Sequence, residues 1–175
     1  HTPDALETSL KSLRDQFKNR QISIVFGCGG DRDKAKRPMM GKIANLYCDR
    51  IYLTDDNPRY ENPKTIRNSI RKNINKSKIY EISNRANAIK KAIFDMKTGD
   101  ILIVAGKGHE KIQEYKKTKK LFSDRQQILK NITIKNKTLS SNLKLNILME
   151  LSNSNNISSK LKIKNASINS KKIKK

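Results

Sequence analysis

The chain is 175 residues long, which predicts one domain with room for an extension and enough apolar content for a modest core. Its formal charge is +23, with 39 Lys and Arg against 16 Asp and Glu, so nucleic acid must be weighed as a partner. Aromatic residues are few and do not interleave with the lysines, which argues against a stacking platform for single strands. Much of the excess is lysine in a chain also rich in Ile and Asn, a bias expected of a low-GC coding sequence. Cys28 and Cys48 form no C-x-x-C and no disulfide framework, and both read as buried reduced thiols. No secretory signal and no apolar run of membrane-spanning length is seen, so no membrane insertion is expected and the cytoplasm is the expected compartment.

Thr2, Pro3 and Asp4 open the first predicted helix as N-cap, first helical residue and dipole partner. Leu6, Leu10, Leu13 and Phe17 then follow a period near 3.6. A strand is predicted over 22–26, a helix over 40–47 with Pro38 near its start, and a strand over 51–54. Pro63 opens a helix carrying Ile66, Ile70 and Ile74 at four-residue spacing. A short strand at 79–82 precedes a helix over 84–96 with Ala86, Ile89, Ile93 and Phe94 inward. Gly99-Asp100 turns the chain into a strand over 101–105. This alternation predicts an α/β fold, a Rossmann-like, mostly parallel sheet with helices on both faces. Beyond it, 111–115 reads as a helical turn, 119–122 as an edge strand and 124–129 as a final helix capped by Ser123 or Asp124. From about Ile132 the composition turns to Asn, Ser, Lys and Ile, and from Lys130 onward eleven lysines face one acidic residue, Glu150. A short helix over 143–151, a linker over 132–160 and a basic low-complexity tail over 161–175 are expected there.

Three apolar strands run into polar turns. Residues 22–26 lead into Gly27-Cys28-Gly29-Gly30-Asp31-Arg32-Asp33-Lys34-Ala35-Lys36-Arg37-Pro38, residues 51–53 into Asp55-Asp56-Asn57-Pro58-Arg59, and residues 101–105 into Gly106-Lys107-Gly108-His109-Glu110. In open α/β sheets ligands sit beyond the carboxyl ends of the strands. Pro58 fixes its own φ and pushes Asn57 toward extended backbone, so Asn57 and Arg59 are presented on a pre-set turn. The three turns together suit a zwitterion, with Arg32 and Arg59 for carboxylates, Asp56 and Glu110 for ammonium groups, and Asn57 for either end. Lys34, Lys36 and Arg37 read either as a solvated face or as a group with at least one member facing phosphates. His109 lacks a second His or a Cys partner, so a metal site is not expected.

The series His1-Thr2-Pro3-Asp4-Ala5-Leu6, G-C-G-G-D-R-D-K-x-K-R-P, D-N-P-R, G-K-G-H-E and Phe122-Ser123-Asp124-Arg125 closely resembles the C-terminal domain of the UDP-N-acetylmuramoyl-tripeptide synthetase family of Mur ligases, over about residues 1–131. The D-N-P-R form resembles that of the members adding meso-diaminopimelate rather than lysine. The resemblance implies that Arg32, Asp56, Asn57, Pro58, Arg59, Gly106 and Glu110 line the amino-acid pocket, with His1 and Lys34 on the nucleotide side. Ala35 stands where the family commonly has Gly. Implied too is ATP-dependent amide bond formation on UDP-N-acetylmuramoyl-L-alanyl-D-glutamate in peptidoglycan synthesis, through an acyl phosphate that the incoming amine attacks. The G-x-x-x-x-G-K-[ST] phosphate loop is absent, since Gly106-Lys107-Gly108 lacks both the leading spacing and the hydroxyl residue. ATP and Mg2+ are therefore expected mainly in upstream ligase domains, no catalytic residue is expected in this chain, and it is expected to be inactive alone. Residues 161–175 also resemble the opening of a Mur ligase N-terminal domain, as in a fused D-alanyl-D-alanine-adding enzyme, although Asn169 and Lys171 depart from its D-S-R-K pattern. The rival readings are a basic nucleic-acid-binding α/β protein and a free-standing amino-acid or Rossmann-type nucleotide module. The latter needs G-x-G-x-x-G opening a helix, whereas Gly30 is followed by the charged run Asp31 to Arg37.

Overall fold

A computed structural model of the chain describes residues 2–157, with side chains through residue 143. The first of two compact units ends at Ile132. In it, α1 (Pro3–Gln16), β1 (Ile22–Phe26), α2 (Lys36–Tyr47), β2 (Arg50–Leu53), α3 (Pro63–Arg71), β3 (Ile79–Glu81), α4 (Arg85–Asp95) and β4 (Ile101–Val104) alternate along the chain. The strands form one parallel sheet in the order β3-β2-β1-β4, with Ile24 opposite Ile51 on one side and Ile103 on the other. β5 (Ile112–Tyr115) and β6 (Thr118–Leu121) make a separate antiparallel hairpin.

Strand periodicity divides the core in two. Ile22, Ile24 and Phe26 of β1, with Ile51 and Leu53 of β2, pack against Leu6 and Leu10 of α1, Met40, Ile43 and Ala44 of α2, and Ile66 and Ile70 of α3. The alternate residues Val25 and Tyr52 meet Ala88, Ile89, Ala92 and Ile93 of α4, joined by Phe122 and Ile128. Burial of this kind contributes about 25 cal/mol per Å² of apolar surface removed from water. Three helix starts carry side-chain caps, that of α1 as its sequence predicts. Thr2 accepts from the Ala5 N–H at 3.3 Å, Asn62 from Lys64 at 2.9 Å and Asn84 from Asn87 at 3.0 Å.

The structure departs from the sequence reading at three places. Phe94 is exposed, and the inward face of α4 runs through Arg85, Ala88, Ile89, Ala92 and Ile93. Residues 112–115 are a strand, because Gln113 turns inward to donate to the Asp56 carbonyl at 2.8 Å and Lys116 closes the hairpin at φ 50°. The helix beginning at Asp124, α5, does not stop near Leu129 but runs to Ile157 through the stretch read as a linker. No Gly or Pro interrupts it over that span, so nothing in the backbone forces an end. The second unit takes in this helix from Thr133. The expected tail at 161–175 lies outside the described residues.

Arg85 joins α4 to the start of α5. Its guanidinium is buried and donates to both oxygens of Asp124, at 2.8 and 2.7 Å, and to the Ala105 carbonyl at 2.8 Å. Removing one partner of such a pair strands the other charge away from water. Asp124→Ala is therefore expected to destabilise the chain by about 3–5 kcal/mol, and Arg125→Ala, on the exposed next position, by about 0.5 kcal/mol or less. Urea unfolding of both variants followed by circular dichroism checks this, and equal losses would contradict it.

Candidate functional site

The strand order reverses direction between β1 and β4, and such a switch point opens a crevice at the carboxyl edge of the sheet. The loops after β1, β2 and β4 meet there around a cavity of about 430 Å³. Arg32, Asp56, Asn57, Arg59 and Glu110 line it, with Gly29 and Cys28 at its floor. Five of the seven residues expected in the pocket are thus brought together. Gly106 lines a smaller, more apolar recess beside it, shared with Thr2, Gly27 and Met40. Pro58 lies behind the lining, where its carbonyl accepts from the Glu61 N–H at 3.1 Å. Lys34 is largely exposed, 3.9 Å from Glu61, and does not line the cavity. His1 lies outside the described residues.

The first two loops are stitched together by backbone. Gly30 donates to the Asn57 carbonyl at 2.9 Å, and its own carbonyl accepts from Arg59 Nη1 at 2.8 Å. A Cβ on Gly30 would lie 1.8 Å from the Pro58 carbonyl oxygen, so no larger residue allows this approach. Below them Arg37 grips both carboxylate oxygens of Glu61, at 2.9 and 2.7 Å, and reaches the Gly29 carbonyl at 3.2 Å. The Arg37 hydrogen bonds, opposed by burial, pull Glu61 down to about 2. Arg37 is therefore buried structure, not part of a solvated basic face.

Arg59 has φ 51°, a conformation that costs on the order of 1–3 kcal/mol for a residue other than glycine. The hairpin holds it there: the Arg59 N–H donates to the Glu114 carbonyl at 3.2 Å, the Lys116 N–H to the Arg59 carbonyl at 2.6 Å, and Glu114 pairs with the guanidinium at 3.4 Å. Arg32 makes no hydrogen bond or ion pair with described residues, which leaves its guanidinium available at the rim.

The acidic side of the cavity is electrostatically uneven. Asp56 is 2 % exposed, and its Oδ2 has no hydrogen-bond partner. Burial pushes its carboxyl above the ordinary value, against the pull of the Arg85 and Lys107 charges. Glu110 also feels burial, but hydrogen bonds from Lys107 and Asn57 and the charges of Lys107 and Arg59 hold it below the ordinary value. Asp55 points the other way, into an ion pair with Arg67 and a 3.2 Å hydrogen bond from the Tyr115 hydroxyl, so it supports the loop. Cys48 is buried, whereas Cys28 is only half-buried beside the cavity, and burial pushes both thiols up to about 12. His109 is exposed. Among the described residues no group of three or more His, Cys, Asp or Glu side chains is placed to hold a metal ion.

Lys107 and Gln113 are the two site residues that the sequence reading left out. Lys107 is buried between Asn57 and Glu110, and its place between two glycines was the available signal. Gln113 had none, because its role depends on a hairpin that folds it back under the loop after β2.

Comparison with known proteins agrees with this geometry. Residues 1–108 match the family described as Mur ligase, glutamate ligase domain. The UDP-N-acetylmuramoyl-L-alanyl-D-glutamate--2,6-diaminopimelate ligase of Rickettsia rickettsii is 50% identical over 135 residues, 77% of this chain and 28% of that protein. The ligase of the same name from Chlorobaculum tepidum is 47% identical over 127 residues, 72% of this chain and 25% of its own length. A solved structure of a ligase of that name superposes with a TM-score of 0.72 at 40% identity, covering 78% of this chain and 28% of that one. The chain thus spans little more than a quarter of the length of these relatives. With the family model matching well over half of its residues, the chain belongs to the Mur ligase family and carries its glutamate ligase domain.

Proposed function

We propose that the chain is the amino-acid-selecting part of an ATP-dependent ligase that joins meso-diaminopimelate to UDP-N-acetylmuramoyl-L-alanyl-D-glutamate in peptidoglycan synthesis. The observation that carries this reading is Asp56. A buried carboxylate oxygen without a donor is costly, and a ligand ammonium group is the donor it lacks. Arg32 and Arg59, on the same cavity, supply cations for carboxylates. Both charge types in one cavity of about 430 Å³ suit a ligand with two amino-acid ends. The named relatives are all ligases of 2,6-diaminopimelate, and they match 72% to 78% of this chain.

The described residues do not fit a phosphate loop, since Lys107, the one lysine in a glycine-flanked turn, is turned inward with its ammonium buried against Asn57 and Glu110. We read ATP and Mg2+ as held mainly by other domains of the whole ligase, and the UDP-linked dipeptide likewise. Within this chain the work is positioning. The cavity orients the amino acid so that one amine is presented to the activated carboxyl group, a contribution made through proximity and orientation.

Diaminopimelate exceeds lysine by one carboxylate, so discrimination rests on donors that lysine leaves unsatisfied. Arg59→Ala in the whole ligase is expected to weaken use of diaminopimelate by about 2–5 kcal/mol, the range for a desolvated charge pair, while ATP affinity stays nearly unchanged. Steady-state kinetics with both amino acids check it. A preference for diaminopimelate that survives the substitution would show that D-N-P-R is only a structural turn.

Asp56 also sets a pH dependence. Its raised value means that the unliganded pocket favours the neutral acid as pH falls, and that an ammonium ligand must draw the proton off. Affinity for diaminopimelate should therefore begin to fall at a pH above the ordinary aspartate value of 3.8, and binding there should release a proton. Calorimetry in buffers of different ionisation enthalpy measures the proton. Asp56→Asn is expected to bind weakly at neutral pH and to lose this acid limb, and an unchanged limb would assign it elsewhere.

A further inference from the structure

We propose that Lys107 is a positioning residue of the cavity: its ammonium pins the Asn57 carboxamide in one orientation and anchors Glu110 through Oε2. The inference deepens the diaminopimelate reading and depends on it only for the identity of the ligand. Two glycines in the left-handed region, Gly106 at φ 112° and Gly108 at φ 54°, flank Lys107, and the Glu110 N–H closes the turn on the Lys107 carbonyl at 2.9 Å. That turn drives the lysine side chain inward until none of it is exposed. A buried ammonium is tolerated only when paired and hydrogen-bonded. Here Nζ lies 2.8 Å from Asn57 Oδ1 and 3.0 Å from Glu110 Oε2.

The consequence for Asn57 is specific. Its Oδ1 accepts from Lys107 Nζ and from the Glu114 N–H at 3.0 Å, which uses both lone pairs. Its Nδ2 donates to Glu110 Oε2 at 2.9 Å. Rotating the amide by half a turn would set its NH2 against two donors and its oxygen against a carboxylate. Asn57 is thereby fixed as a donor, so it serves a ligand carboxylate and not an ammonium group, a choice the sequence left open. Glu110 is fixed in the same contact and remains ionised. Among the described residues, the other charged groups near it include Asp56 and Arg59 from the loop after β2, and Arg32, Asp33 and Lys36 on the lining of the same cavity.

The 175-residue chain with 13C-labelled glutamate carboxyl groups tests this by NMR titration of Glu110, with calorimetric binding of meso-diaminopimelate at neutral pH as the second readout. Wild type is expected to titrate Glu110 below the ordinary value of 4.5. K107M should raise that midpoint, shift the Asn57 side-chain amide signals and weaken diaminopimelate on the order of tenfold. K107Q, a neutral donor, should restore much of the Asn57 signal and leave the Glu110 midpoint raised, and it carries the test if K107M does not fold. An unchanged Glu110 midpoint in either folded variant overturns the proposal. So does a wild-type midpoint at or above 4.5, which decides the matter if neither variant folds. A shifted midpoint in a chain whose wild type does not bind diaminopimelate supports the role of Lys107 and overturns the ligand reading instead.

Discussion

The site depends on how closely the loop after β1 approaches the loop after β2. Gly30 is where they touch, with one hydrogen bond in each direction and no space for a Cβ. Beside this contact are Arg32 and Arg59, the two guanidinium groups of the cavity that are not clamped to Glu61. Below it the Arg37–Glu61 pair clamps the same two segments, and the Asp31 N–H adds a further hydrogen bond to Glu61 at 2.6 Å. Holding both loops in one geometry before a ligand arrives removes the ordering cost from binding. The strained backbone of Arg59 is affordable for the same reason, since the hairpin β5–β6 fixes it from the far side.

Beneath the cavity the chain gathers more buried charge than stability alone favours. Asp55 with Arg67, Arg85 with Asp124, and Lys107 with Glu110 are ion pairs in which at least one partner is nearly inaccessible. Desolvation offsets much or all of the attraction in such pairs. Their effect is positional. The first ties α3 to the loop after β2, the second ties the start of α4 to the start of α5, and the third closes the loop after β4. The charges of Arg85, Lys107 and Glu110 act on Asp56, whose Oδ2 is left without a donor. Among the described residues two buried donor atoms, Arg37 Nε and Arg85 Nη1, also lack a partner, but Asp56 Oδ2 is the unsatisfied acceptor on the cavity lining, which is what a pocket for a cation requires.

The parts of this architecture that were legible in the sequence are those set by local chemistry. β1, β2 and β4 announce themselves as short apolar runs leading into polar turns, and Thr2 and Pro63 mark helix starts. Arg32, Asp56, Asn57, Arg59 and Glu110 were placed by motif and found around one cavity. What could not be read is set by distant partners. Arg37 looks like one more cation in a charged run until Glu61, 24 residues later, is brought beneath it. Lys107 resembles a failed phosphate loop until Asn57, 50 residues earlier, accepts from it. Phe94 lies one residue beyond Ile93, so a small error in helical phase moves it from core to surface.

The charge of +23 is a weaker guide to function than its size suggests. Arg37, Arg67, Arg85 and Lys107 are buried and matched by carboxylates of the same domain, so they contribute little field at the surface. A further part comes from the eleven lysines from Lys130 onward, outside the residues that match the family. The two cations that carry selectivity in the proposed reading, Arg32 and Arg59, are distinguished by geometry and not by number. Both stand on loops at a strand end, within one cavity that also holds an unsatisfied carboxylate oxygen. Net charge describes how a chain attracts ions at a distance and falls off within a Debye length. Selecting one amino acid over another that lacks a carboxylate requires donors fixed at particular positions, and those positions come from the packing of the loops.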